Sequence, residues 1–191
     1  MISFAYRLTL QTPEQCKPWL TAAEWQYSQG LSAKRQAEFS NGRTLARKML
    51  MQNNLLTIAD IAIDLPSESA PRLLVQRKKM QLSISHSGTA IAVALSDQPI
   101  GLDIEQIKCR DIKALTEQLP AMAGVTTLQQ FYQRWTGCEA YSKYSADSIW
   151  QTLQRPLPKQ ISLYYLPLSD YMLCLCYRKS DVAIQNIGEL R

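Results

Sequence analysis

Histidine is almost missing from this chain: there is one, His86, in 191 residues. That excludes zinc centres that need two or more histidines. The cysteines offer no replacement, because the five are scattered and form no Cys-x-x-Cys pair. Cys174 and Cys176 share a strand face and are not a zinc knuckle. A Ser-His-Asp hydrolase would have to use His86, and no Gly-x-Ser-x-Gly elbow supports one. There is no P-loop and no Gly-x-Gly-x-x-Gly. No apolar run reaches membrane-spanning length. The start, Met1 to Arg7, lacks the basic and then apolar pattern of a secretory leader. Odd, unpaired cysteines fit a reducing compartment, so a cytoplasmic protein with free thiols is expected.

What is present is a formal net charge of +5. It favours anionic partners such as phosphates, acidic proteins or nucleic acid. The densest basic cluster, Arg77-Lys78-Lys79, is short and reads as a solvated turn. Nucleic-acid binding would rest on net charge alone, so neither nucleic acid nor membrane is expected as a partner.

The chain is organised around Leu82 to Glu105. A short alternating strand ends in Ser85-His86-Ser87-Gly88. A run of small apolar residues, Ala90 to Leu95, reads as a buried strand. After a turn at Asp97-Gln98-Pro99, a third strand carries Asp103 and Glu105. Side chains alternate along a strand, so these two acids share one face, roughly 6.6 Å apart at the backbone. They either lie on a solvated face or reach one hard cation together. Oxygen-only ligands of that kind suit Mg²⁺, which often binds phosphates as well.

Two helices carry further candidates. Thr12-Pro13 reads as a helix start, Leu20 to Tyr27 as helical, and Ser32 as the cap of a helix to about Gln52. On that last helix Arg35, Phe39, Arg43 and Arg47 recur every fourth residue. The arginines either snorkel into water or line up for an anion, with Arg43 and Arg47 as phosphate contacts. On the helix Leu128 to Tyr144, Phe131, Trp135, Glu139 and Lys143 share a face. Glu139 and Lys143 are either a surface pair or a charged end to an apolar stripe. Strands are expected at Ser3 to Leu10, Ile61 to Leu65, Arg72 to Val75, Ile161 to Leu166, Tyr171 to Tyr177 and Val182 to Ile187. A loop is expected at Ser67 to Pro71, a helix at Asp111 to Leu119 and a loop at Pro120 to Thr126. Each half, residues 1–98 and 99–191, supplies a strand, helices and then strands.

Three motifs stand in order: Ser85-His86-Ser87, Gly101-Leu102-Asp103-Ile104-Glu105, and Trp135-Thr136-Gly137-Cys138-Glu139-Ala140-Tyr141-Ser142-Lys143, with Gly42-Arg43-Thr44-Leu45 upstream. Together they resemble the 4′-phosphopantetheinyl transferase superfamily of the Sfp type. The resemblance spans about Leu31 to Tyr144. It implies an α+β fold of two similar halves related by a pseudo-twofold, with coenzyme A in the cleft between them. It implies Mg²⁺ on Asp103, Glu105 and Glu139, the coenzyme A 3′-phosphate on Ser85 and His86, and Lys143 on its phosphates. A serine of an acyl or peptidyl carrier protein would attack the β-phosphate, with Glu139 as candidate base. A monomer is expected.

Two residues depart from the family pattern. Cys138 and Ala70 stand where the family has lysines. Arg72, beside the second gap, is the candidate substitute. A catalytically weakened member that only binds coenzyme A or a carrier protein is the alternative reading.

Overall fold

The computed structural model describes residues 1–52, 55–65, 71–117, 119–179 and 182–190. The chain divides into two compact units: Met1–Gln98 together with the stretch from Ala183 onward, and Pro99–Val182. The loop expected at Ser67 to Pro71 lies outside the described residues as far as Ala70.

The first unit opens with strand β1 (Ile2–Arg7) and the short helix α1 (Pro13–Cys16). Thr12 caps α1 as the sequence indicates: its hydroxyl accepts from Gln15 N while the Gln15 side chain returns to the Thr12 backbone, a reciprocal box that satisfies two orphan donors. Helices α2 (Ala22–Gln29) and α3 (Ala33–Leu50) follow. Ser32 sits at the α3 N-cap position, but its side chain makes no capping hydrogen bond. Four strands complete the run: β2 (Ile61–Ile63), β3 (Leu73–Val75), β4 (Lys78–Ser87) and β5 (Ala90–Ser96). The strand read from Leu82 therefore begins earlier, at Lys78. Gln76 and Arg77 take positive φ (48° and 66°) and turn β3 back into β4, the backbone hand that a two-residue hairpin turn requires.

The core of this unit follows from alternation. Ala5 of β1, Leu82 of β4 and Ile91, Val93 and Leu95 of β5 meet Leu45, Ala46 and Met49 of α3. The small residues Ala90, Ala92 and Ala94 occupy the other face of β5, and every residue of that strand is buried.

The second unit starts with β6 (Ile100–Gln106), then the short helix α4 (Ile112–Thr116), α5 (Leu128–Ser145) and α6 (Ile149–Leu153), and ends with β7 (Ile161–Leu168) and β8 (Tyr171–Arg178). The loop expected at Pro120 to Thr126 contains a 3₁₀ turn at Pro120–Met122, and α6 had no clear apolar period to announce it. The strands form an antiparallel sheet in the order β6-β8-β7. Thr127 and Gln130 make a capping box at the start of α5.

Strand β9 (Ile184–Glu189) leaves the second unit and pairs in parallel with β1, giving the first unit a six-stranded sheet in the order β2-β3-β4-β5-β1-β9. The second unit thus ends at Val182, short of residue 191, because β9 takes its hydrogen bonds from β1. The protein is mixed α+β. Among the described residues no helix is long and apolar enough to cross a membrane.

Candidate functional site

The candidate residues fall into one group in each unit. In the second unit the acids are brought together by a single glycine. A Cβ built on Gly101 would collide with the carbonyl oxygen of Ala140 and lie 2.7 Å from Tyr144 N. Helix α5 therefore runs against bare strand backbone at Gly101. Residues two apart on a strand share a face, so Asp103 and Glu105 point toward α5 as well. The helix runs antiparallel to β6. Its early residue Tyr132 meets Lys108, whose N–H donates to the tyrosine hydroxyl at 3.0 Å, while Ala140 and Tyr144 meet Gly101. Glu139 and Lys143 consequently face the acidic stretch of β6.

The Lys143 ammonium donates to Asp103 Oδ1 at 2.9 Å and to Leu102 O at 3.0 Å. The Asp103 side chain is only 5% exposed, that of Lys143 32%. Burial first, then the charges of Asp103 and Glu105, push the Glu139 carboxyl up to about 7, against the pull of Lys143. Glu139 thus feels both β6 acids, and with them makes up the three carboxylates that the motifs single out. Oxygen-only donors of this kind are the right chemistry for a hard divalent ion. They do not, however, stand as a closed shell: among the described residues no three His, Cys, Asp or Glu side chains are grouped closely enough to hold an ion.

The raised Glu139 carboxyl has a consequence for stability. Its folded value lies above the ordinary 4.5, so the native state binds this proton more tightly than the unfolded one. Its share of stability is complete below about 4.5 and is lost as pH rises through about 7. The melting temperature of Glu139→Gln should therefore gain on the wild type between pH 5 and 8. Parallel curves across that range would remove Glu139 as the cause.

Cys138, next to Glu139, is wholly buried among Met122, Phe131, Leu153 and Met172. Burial raises its thiol to about 11. Position 138 is thus packed into the core. Cys138→Lys should desolvate an ammonium and cost about 3 kcal/mol or more. A lower melting temperature is the expected result; an unchanged melt would show that the side chain escapes the core.

In the first unit the arginine stripe on α3 splits. Arg47 is 0% exposed and its Nη1 lies 2.9 Å from Glu24 Oε2. It also donates to Trp19 O and Ile61 O, at 3.0 and 3.3 Å. Arg43 Nε donates to Glu24 Oε1 at 3.0 Å and its Nη2 to Asp64 O at 2.6 Å. Burial, against the favourable charge of Glu24, lowers the Arg43 guanidinium to about 10. Arg47 is therefore corrected from a phosphate contact to a buried structural ion pair: a guanidinium closed off from solvent reaches no outside ligand. Arg43 spends its hydrogen bonds inside the fold, although its stem lies along a cavity.

That cavity, of about 340 Å³, is lined by Tyr27, Arg35, Phe39, Arg43, Ile84 and His86 among others. His86 Nδ1 stands 3.3 Å from Glu38 Oε1, and its Nε2 is 3.4 Å from Arg35 Nη1. Arg35 and Glu38 were not among the site residues expected. The signal that could have found Arg35 is its place at the free end of the stripe. Ser85 is buried on β4, on the face opposite His86, so consecutive residues of the motif do not present their side chains together. Arg72 is exposed and donates to Asp64 Oδ2 at 2.7 Å. Ala70, the other family departure, lies outside the described residues.

No protein-family profile matches the chain. Among curated proteins it is similar to 4′-phosphopantetheinyl transferase AcpT of Salmonella typhi, 33% identical over 107 residues that cover 49% of this chain and 56% of that protein. The protein of the same name from Salmonella typhimurium gives the same figures. That of Escherichia coli K12 is 26% identical over 147 residues, 70% of this chain and 74% of its own length. The chain spans about half the length of the first curated relatives it matches.

Proposed function

We propose, on the premise that this chain is a sequence relative of the 4′-phosphopantetheinyl transferase superfamily, that it moves the 4′-phosphopantetheine group of coenzyme A onto a serine of an acyl or peptidyl carrier protein. The observation that supports this most is the facing of Asp103, Glu105, Glu139 and Lys143 across β6 and α5. Phosphoryl transfer asks the protein chiefly for positioning and charge, and this group offers both. The order of the motifs supports the Sfp-type branch.

In this reading the serine oxygen forms a bond to the β-phosphorus of coenzyme A. The bond from that phosphorus to the bridging oxygen breaks, and adenosine 3′,5′-bisphosphate leaves. The serine proton passes to Glu139. Lys143 holds a phosphate oxygen. Mg²⁺, on Asp103, Glu105 and Glu139, would neutralise the pyrophosphate charge. In the first unit Arg35 and His86 line the cavity that would take an anionic ligand, with Arg72 at the surface. The five free cysteines fit a reducing, cytoplasmic setting.

The test is the intact mass of apo carrier proteins after incubation with coenzyme A, Mg²⁺ and this protein. A gain of one phosphopantetheine group is expected. A second measurement is direct: coenzyme A at a hundred times its dissociation constant should add about 2.7 kcal/mol of stability, and more with Mg²⁺. A melting temperature indifferent to both would sink the proposal. Burial of Cys138 favours the second reading, a binding module without turnover. Stabilisation by coenzyme A without any mass gain on carrier proteins would select it.

A further inference from the structure

The second unit holds a cavity that the proposed reaction does not use. Two chambers meet there. The inner one, of about 330 Å³, is walled by Ala121, Cys138, Pro156, Leu157 and Leu163. The outer one, of about 300 Å³, is walled by Gly124, Gln130 and Gln133 among others. Arg134 and Tyr165 line both chambers and so stand at their junction. We propose that this double chamber binds a monocarboxylate with an aliphatic tail, the carboxylate on the Arg134 guanidinium and the tail in the inner chamber. The site is independent of the transferase reading.

Local structure builds it. Arg134 and Cys138 lie four apart on α5 and share a face. Leu163 and Tyr165 lie two apart on β7 and share a face. The two elements meet at Gly137, where a Cβ would lie 2.5 Å from Tyr165 Oη and 3.3 Å from Leu163 Cδ1. Bare helix backbone therefore seats the tyrosine, and the chambers open beside that contact. Arg134 is held at the junction by the 3₁₀ turn, because its Nη1 donates to Ala121 O at 3.0 Å. Among the described residues no carboxylate pairs with it. A guanidinium carries five N–H donors, so most of its fork still faces the cavity.

Charge and polarity select the ligand. Among the described residues that line either chamber, Arg134 is the only charged one. One guanidinium matches one carboxylate, which it can meet with two parallel N–H groups. A phosphate dianion would keep a charge unmatched, and an amine would be repelled. Beyond Arg134 the side chains turn apolar. Burial raises the Cys138 thiol to about 11, so it stays neutral and behaves as a small hydrophobe. Cysteine in place of the family's lysine thus leaves the inner chamber without charge, fit for methylene groups. Gln130 and Gln133 keep the outer chamber polar, on the side where a carboxylate would meet water.

The experiment follows the backbone amides of the full chain by two-dimensional NMR while butyrate, hexanoate or octanoate is added without coenzyme A. Ala121, Gly124, Arg134 and Leu163 should shift together and saturate. The dissociation constant should fall roughly fourfold for each added methylene. Arg134→Met keeps the stem and removes the charge, and should weaken octanoate on the order of tenfold. Arg134→Lys restores the charge and should recover part of that loss. Lys113→Met removes an exposed cation of α4 that pairs with Glu117 and should change nothing. Octylamine has the same tail and the opposite charge, and should leave these amides in place. Absent shifts, equal shifts with octanoate and octylamine, or full octanoate affinity in Arg134→Met each overturn the site. Pantetheine has no charge and should not shift these amides; if it does and octanoate does not, the chamber belongs to coenzyme A and the carboxylate site is wrong.

Discussion

Glu24→Ala is expected to remove most of the stability of the first unit, with a loss of roughly 3–5 kcal/mol for breaking a buried ion pair. One carboxylate serves two guanidiniums. Its Oε1 accepts from Arg43 Nε at 3.0 Å and Arg47 Nη2 at 3.1 Å, and its Oε2 lies 2.9 Å from Arg47 Nη1. Oε2 also accepts from Thr21 N at 2.8 Å, closing the capping box of α2. Alanine leaves two buried cations facing each other without a counter-charge and removes one half of the α2 capping box. Glu24→Gln keeps hydrogen-bonding capacity without the charge, so its loss should be intermediate. Urea unfolding of the three proteins measures both steps. Midpoints that coincide would mean that the arginines find other partners.

The second large effect is expected from the smallest change. Gly101→Ala adds one methyl group where α5 touches β6. The atoms in its way are the backbone of Ala140 and Tyr144, so no side-chain rotation can relieve the overlap. The helix must shift, at about 3 kcal/mol or more, the upper end for overpacking. Any shift also separates Lys143 from Asp103 and changes the surroundings of Glu139. Gly101→Ala should therefore melt earlier and lose the proposed transferase activity even where it remains folded. A native melting temperature would show that the two elements can slide apart freely.

Much of this was legible in the chain itself. Thr12 before Pro13, and the alternation that sets Asp103 and Glu105 on one face, act within a few residues. Local stereochemistry decides them, and the structure follows. The stripe of Arg35, Phe39, Arg43 and Arg47 was legible only as a stripe. A helical period says which residues share a face and nothing about what meets that face. An anion does lie against Arg43 and Arg47, but it is Glu24, from the preceding helix, and only tertiary packing could disclose it. The same holds for Cys138. A helical wheel separates it from Glu139 by about 100°, yet whether that direction is cleft or core depends on Met122, Leu153 and Met172, far away in sequence. The role of Gly101 was hidden for a related reason: within the motif it looks like the start of a strand, and the reason for a glycine is the helix that arrives some forty residues later.

Strand β1 lies between β5 and β9, and Ile2 pairs with both Ser96 and Ile184. The first unit is thus interrupted in the chain by the whole of the second. Its sheet can close only after 99–182 has been traversed, so one flank of β1 waits as an open template for any extended strand nearby. Such long-range pairing is slow to form. Amides on the β9 side of β1 should be the last in that sheet to gain protection from hydrogen exchange during refolding. A variant in which β9 cannot dock would offer the same edge to a neighbouring molecule, so self-association would be its first symptom.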